Sequence, residues 1–241
     1  MENFQEKIVK IQSWFRGVIY RKKRLPLIFY IIKNFLENSQ FELIKKNKDG
    51  RVNSSSDEDV LTNLLEKRFG KYIRVPKSRN WYDILVYDKM YGWLPVNIKT
   101  TTFKTSDNTG NLAMCVQAYT SFKLDLDKNY QNGKMSKILI EYLNEKKYNK
   151  IDKKDYYFLV INKETKEIVI NSIKGLNTLT RNINNLPFQI KWKNNTLFKY
   201  TKIQNVVNTF LTCFEKENNS WRDYFIKNIK SIKIKSRYSP Y

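Results

Sequence analysis

The chain contains no histidine. Ser-His-Asp hydrolases, histidine-dependent nucleases and His-ligated zinc are excluded together, because each needs an imidazole as base or ligand. Only two cysteines occur, Cys115 and Cys213, each flanked by apolar residues. Buried thiols are therefore expected rather than a disulfide, and two thiolates cannot complete a zinc site alone. No apolar run approaches the roughly 18 residues of a membrane span. The longest, Leu25 to Ile32, is interrupted by Pro26. No apolar signal with a small-residue cleavage site opens the chain, so it reads as soluble and intracellular, without a membrane partner. Any catalysis must run on carboxylates, lysine, hydroxyls and a hard metal ion.

Acids are also scarce. Among 241 residues, 23 Asp and Glu face 45 Lys and Arg, a formal charge of +22 that far exceeds what solubility needs. Nucleic acid is the commonest polyanionic partner for such a chain. A composition rich in Lys, Asn, Ile and Tyr accounts for many lysines, but not for the shortage of acids. With 41% hydrophobic residues the chain can bury a substantial core, most simply as one domain with appendages.

The segment from Trp81 to Thr102, WYDILVYDKMYGWLPVNIKTTT, carries the clearest chemistry. Ile84 to Tyr87 and Leu94 to Ile98 alternate with period two around a turn at Gly92, which predicts a strand-turn-strand unit. If Leu94, Val96 and Ile98 are buried, Asn97 and Lys99 share the other face, and Asp83 reaches it from the neighbouring strand. A carboxylate, an amide oxygen and an ammonium group converging there suit Mg²⁺ and an attacking water. The plainer alternative is a strand wet on one side, with Asp83 capping a turn and Lys99 in solvent.

Earlier in the chain, Ile8, Ile11, Phe15, Val18 and Ile19 recur at three- and four-residue steps, an amphipathic helix whose other face is basic. Within it, Ile11-Gln12, Arg16-Gly17 and Arg21 stand in the order I-Q-x-x-x-R-G-x-x-x-R, which resembles the IQ motif that binds calmodulin and its light-chain relatives. The resemblance implies a calmodulin-like partner and a eukaryotic setting, nucleus or cytoplasm, or a virus of such a cell. A basic helix packed on its own domain or clamped on DNA would match the same pattern. Leu27 to Leu36 reads as a second helix after Pro26. The polar run Lys45 to Asp59 reads as a loop, which divides a helical appendage (1–45) and a linker (46–59) from the main domain (60–241). Val60 to Phe69 is expected to be a helix with an apolar stripe at Leu61, Leu64, Leu65 and Phe69, stopped by Gly70.

Beyond the hairpin, Lys104 to Asn111 is a polar loop, and Leu112 to Phe122 is a buried helix or strand. A short helix is expected around Ile138 to Leu143. Tyr157 to Ile161 and Ile168 to Ile173 form a second predicted hairpin, with another strand pair at Phe188 to Trp192 and Leu197 to Tyr200. Helical periodicity follows from Ile203, and the end is a basic tail including Lys233 and Lys235.

This order is similar to the PD-(D/E)XK nuclease core, and Val60 to Phe122 resembles type II restriction endonucleases of the EcoRV kind. The segments that carry it are LLEKRFGKYIRVP, WYDILVY, VNIKTTT and AYTSF. The resemblance implies an α/β (α+β) restriction-endonuclease-like core, a central mixed β-sheet flanked by helices, with the N-terminal helical appendage added. It implies Mg²⁺-dependent hydrolysis of double-stranded DNA, with Mn²⁺ as a substitute, by a homodimer. Asp83 then stands as the shared metal ligand, Asn97 at the second acidic ligand and Lys99 at the catalytic lysine. Glu66 falls where some members place a further acid. Lys104, Thr105, Asn108 and Arg181, in polar loops, are candidate DNA contacts, as are Lys233 and Lys235 in the tail.

Asn97 departs from the pattern, for an amide lacks the charge of a carboxylate and should hold Mg²⁺ more weakly. Either Asn97 still ligates, or Glu66 or Asp88 supplies the charge, or the fold serves as a DNA-binding or calmodulin-binding protein without catalysis. An acid within reach of Asp83 would favour the enzyme.

Overall fold

The computed structural model describes residues 24–43, 50–76, 80–104, 107–108, 116, 119–120, 132–145, 154–181, 188–215 and 227–228. The IQ-like residues Ile11, Gln12, Arg16, Gly17 and Arg21 lie outside them, as do Thr105, Cys115, Lys233 and Lys235.

Helix α1 (Leu27–Glu37) and helix α2 (Gly50–Phe69) precede strands β1 (Ile73–Arg74), β2 (Ile84–Asp88), β3 (Gly92–Thr101) and β4 (Asp107–Asn108). Helix α3 (Asn132–Asn144), β5 (Tyr157–Asn162), β6 (Ile168–Ser172), β7 (Thr180–Arg181), β8 (Phe188–Ile190) and helix α4 (Ile203–Glu215) follow. The fold is α+β. Its main sheet has five strands in the order β1-β2-β3-β5-β6, and it is mixed: β3 and β5 run parallel, while every other neighbouring pair is antiparallel. A second sheet, β4-β8-β7, joins segments about eighty residues apart in the chain.

Alternation sorts the side chains of the main sheet. Ile84, Val86, Leu94, Val96 and Ile98 pack with Tyr157, Leu159 and Ile161 against Phe29, Ile32 and Leu36 of α1 and Leu61 and Leu65 of α2. On the opposite face Leu85, Phe158, Val160 and Val169 meet Leu139 and Leu143 of α3 and Val206 and Phe210 of α4. The sheet is thus covered on both sides, and β3 has no wet face: Asn97 is only 2% exposed. Each Leu buried this fully contributes about 2 kcal/mol of transfer free energy.

Two boundaries differ from the sequence expectation. Residues 27–37, assigned to an appendage, are part of the core, because the apolar stripe of α1 has sheet to cover and Phe29 lies 4.4 Å, ring to ring, from Tyr157. The expected linker 46–59 is helical from Gly50 onward. Asp57, Leu61 and Leu65 recur every four residues and are all 0% exposed, so the buried stripe continues into the polar half of α2 with an acid in line.

The hairpin itself forms as expected. Gly92 takes φ 75° at the turn, where L side chains are strained, and Asp88 Oδ1 accepts the backbone N–H of Met90 at 2.8 Å and of Tyr91 at 3.1 Å. Pro95 is tolerated in the middle of β3 because pairing with β5 begins only at Val96. The strand expected over Leu197 to Tyr200 does not form; β8 pairs instead with β4 and β7. Cys213 is a buried thiol whose Sγ donates to Leu179 O at 3.3 Å. Among the described residues, no helix is long and apolar enough to cross a membrane.

Candidate active site

Asp83 precedes β2 by one residue, and its backbone N–H donates to Val96 O at 3.0 Å, so the antiparallel register continues through it. Its carboxylate then meets the next two residues of β3. Asn97 Nδ2 and the backbone N–H of Ile98 both donate to Asp83 Oδ2 at 2.7 Å. Two short charge-assisted bonds to one oxygen fix the carboxylate and leave Oδ1 without a hydrogen bond among the described residues. The approach to β2 is held from below, where the fully buried Tyr156 donates its hydroxyl to Trp81 O at 2.8 Å.

Lys99 lies two residues beyond Asn97, on the same side of β3 by alternation. Its Nζ is 3.3 Å from Glu58 Oε1 on α2, and both side chains are about a quarter exposed. Glu58 is the acid that sequence reasoning missed. One residue before it, the buried Asp57 receives Lys163 Nζ at 2.8 Å and the Thr100 hydroxyl at 3.5 Å. Lys163 in turn donates its backbone N–H to Thr101 O at 2.8 Å. Consecutive acids of α2 therefore meet consecutive residues of β3, and Lys163 locks that end of the sheet to the helix.

The charges at the site are mutually sensed. Burial pushes the Glu58 carboxyl above its usual range; the Lys99 ammonium opposes this and the negative charge of Asp83 adds to it. Burial likewise raises Asp83, against the pull of Lys99 and of the Ile98 N–H. Two carboxylates share one ammonium, so a further cation between them would relieve both.

The donor set fits a hard ion. Asn97 directs its amide nitrogen at Asp83, so its carbonyl oxygen is the part left to act as a ligand. Among the described residues no three His, Cys, Asp or Glu side chains gather into a metal cage. Mg²⁺ does not ask for one: it commonly takes one or two carboxylates and completes its shell with water and substrate phosphate. Asp83 and Glu58 match that requirement.

Other expected site residues fall elsewhere. Glu66 is exposed and stands eight residues beyond Glu58, about 12 Å along α2 and some 80° around it. It does not join the cluster, because the face of α2 that meets the sheet is set by Asp57, Leu61 and Leu65. Asp88 caps the turn at the far end of the hairpin, five residues and about 17 Å from Asp83 along the strand. Lys104 is exposed and paired with Glu164 at 2.7 Å. Asn108 in β4 and Arg181 in β7 are brought to the two strands that flank β8. The spacing Asp57-Leu61-Leu65 was the available signal for an acid-bearing helical face, and it was masked by the serine-rich run before it.

Compared with protein-family models, with curated proteins and with solved structures, the chain matches none.

Proposed function

We propose that the chain is a metal-dependent endonuclease that hydrolyses phosphodiester bonds in double-stranded DNA, with a restriction-endonuclease-like core of the PD-(D/E)XK kind. The observation that carries this reading is Glu58. It brings to Lys99 and Asp83 the acid that Asn97 withholds, and it does so from the helix that precedes the hairpin. The arrangement of α2, the β2–β3 hairpin and the parallel strand β5 supports the same resemblance.

Asp83 and Glu58 are the residues that would hold Mg²⁺, which when bound supplies Lewis acidity to the phosphoryl oxygen and an acidified water. Lys99 pairs with Glu58 at 3.3 Å and lies in the field of Asp83, where its ammonium can orient the water and offset negative charge that builds on the phosphate. Asn97 and the Ile98 N–H keep Asp83 Oδ2 fixed, so that Oδ1 is the oxygen that would hold the ion. The partial burial of Lys99 and Glu58 lowers the local dielectric and strengthens each of these interactions. Two copies acting on the two strands of a symmetric site is part of the same proposal.

The test is cleavage of supercoiled and linear duplex DNA by the full chain in Mg²⁺ or Mn²⁺. Wild type should cut, and Asp83→Ala and Lys99→Ala should each lose about 10³-fold in rate while still unfolding in one cooperative transition. Salt-sensitive DNA binding by wild type with no cleavage in either metal would overturn the nuclease and leave a binding module.

A further inference from the structure

From Ile168 to Phe214 the sequence contains no Asp or Glu, although it contains Lys174, Arg181, Lys191, Lys193, Lys199 and Lys202. Elsewhere in the described residues four lysines stand against acids, in Lys33–Glu37, Lys99–Glu58, Lys104–Glu164 and Lys163–Asp57. Here Lys191, Lys193, Lys199 and Lys202 are all exposed, and no acid in their own segment can neutralise them.

The backbone that carries them is held rigidly. Asn195, 0% exposed, accepts the backbone N–H of Asn177 at 2.8 Å and of Thr178 at 3.0 Å through Oδ1. Its Nδ2 donates to Thr178 O at 3.0 Å and to Lys191 O at 2.9 Å. Asn171 Nδ2 donates to Asn195 O at 2.7 Å, and Thr201 N donates to Lys174 O at 2.7 Å. Trp192, fully buried against Phe158, pins the middle of the segment. Gly175 lies so close beneath it that a Cβ there would collide with Asn171 Oδ1 and the Phe198 ring. A loop fixed by one asparagine and one tryptophan holds its four lysines at set spacings, so less ordering is needed when they meet a ligand.

This surface is joined to the strand that carries Lys99: Trp192, between Lys191 and Lys193, packs 5.3 Å from Phe158, which pairs with Asn97 across β3 and β5. Asp107 pairs with Ile190, next to Lys191, and is eight residues from Lys99, a reach of at most about 28 Å. Adding one strand spacing of about 5 Å and one residue step of about 4 Å, Lys191 stands within about 37 Å of Lys99, close to one turn of duplex DNA.

We propose that Lys191, Lys193, Lys199 and Lys202, presented on the Asn195-clipped loop, form a clamp for the phosphate backbone of the duplex that is cut at Asp83, Glu58 and Lys99. The proposal rests on the nuclease reading for the identity of its ligand, and deepens it. Duplex DNA is favoured over an anionic membrane surface because, among the described residues of the segment, Leu197 is the one large apolar side chain exposed, too little for insertion into lipid.

The test is equilibrium binding of a 30-base-pair duplex to the full chain without metal, over a range of salt. It compares wild type with Lys191→Gln/Lys193→Gln/Lys199→Gln/Lys202→Gln, and with an equal charge change at exposed Lys67, Lys71, Lys89 and Lys137. In the first variant the slope of log affinity against log salt should fall by about 3 to 4, and affinity by at least about tenfold, with unchanged circular dichroism. In the second, the change should be less than half as large. Equal losses in both variants, or an unchanged slope in the first, would overturn the clamp. Loss of binding to phosphatidylserine vesicles with DNA affinity intact would overturn it too, and would assign the surface to membranes. Because no metal is present, a chain that binds as expected but never cuts refutes the nuclease and leaves the clamp standing.

Discussion

Two of the buried acid–lysine sites among the described residues, one around Asp155 and one around Asp83, are built differently. Asp155, 6% exposed, accepts the backbone N–H of Tyr156 at 2.9 Å and of Lys174 at 3.3 Å, and lies in the field of Lys174. Lys174, 2% exposed, donates its ammonium to Lys154 O at 2.6 Å. One acid faces one ammonium, backbone groups and the Ser172 hydroxyl fill the remaining positions, and solvent has almost no access. At Asp83, Glu58 and Lys99, two acids face one ammonium, both upward-shifted by burial, with Lys99 and Glu58 partly open to solvent. The first arrangement is complete without a ligand, whereas the second has excess negative charge aimed at an accessible point. Pairing stoichiometry and access, more than burial itself, separate a structural ion pair from a candidate catalytic one.

The largest expected effect tests the structural side. Lys174→Met leaves Asp155 buried without its ammonium and should cost about 3 kcal/mol or more of stability, measured by urea unfolding. Cleavage per folded molecule should stay within twofold. A loss of cleavage at full folding would erase the distinction between the two sites.

Asp155 sharpens the same contrast through pH. Burial above all pushes its carboxyl up to about 6, so the folded state holds this proton more tightly than the unfolded chain does. The contribution to stability is therefore full only below about pH 4 and is lost as pH rises through about 6, a total of about 3 kcal/mol. Relative to Asp155→Asn, wild type should lose that much more stability between about pH 3 and 7. Parallel curves for the two proteins would contradict the assignment.

A smaller effect is expected at Asn97. Asn97→Asp adds a third carboxylate beside Asp83 and Glu58, so half-maximal cleavage should need about tenfold less Mg²⁺. Without the ion the same substitution crowds like charges and should lower the unfolding midpoint. An unchanged Mg²⁺ requirement would place Asn97 outside the ion's shell.

The hairpin was legible because period-two alternation, Gly92 and the Asp88 turn are local signals. The neighbourhood of Asp83, Asn97 and Lys99 followed from its register. Glu58 was not legible, since the serine- and acid-rich run before Leu61 lacks apolar periodicity. That half of α2 is tied to the sheet through Asp57, whose partner Lys163 lies over a hundred residues away. The same limit applies to α1, whose apolar stripe was readable while the sheet it covers was not. Likewise β8 found partners in β4 and β7 that no local pattern announces, and the fixed course of the chain around Asn195 replaced an expected strand.

The most direct measurement sets Glu58 against Glu66, two glutamates on one helix that differ in whether they face Lys99. Initial cleavage rates in Mg²⁺ should fall about 100-fold in Glu58→Gln and remain unchanged in Glu66→Gln. A rate that survives in Glu58→Gln, or that falls in Glu66→Gln instead, would show that Glu58 is not the acid completing the site.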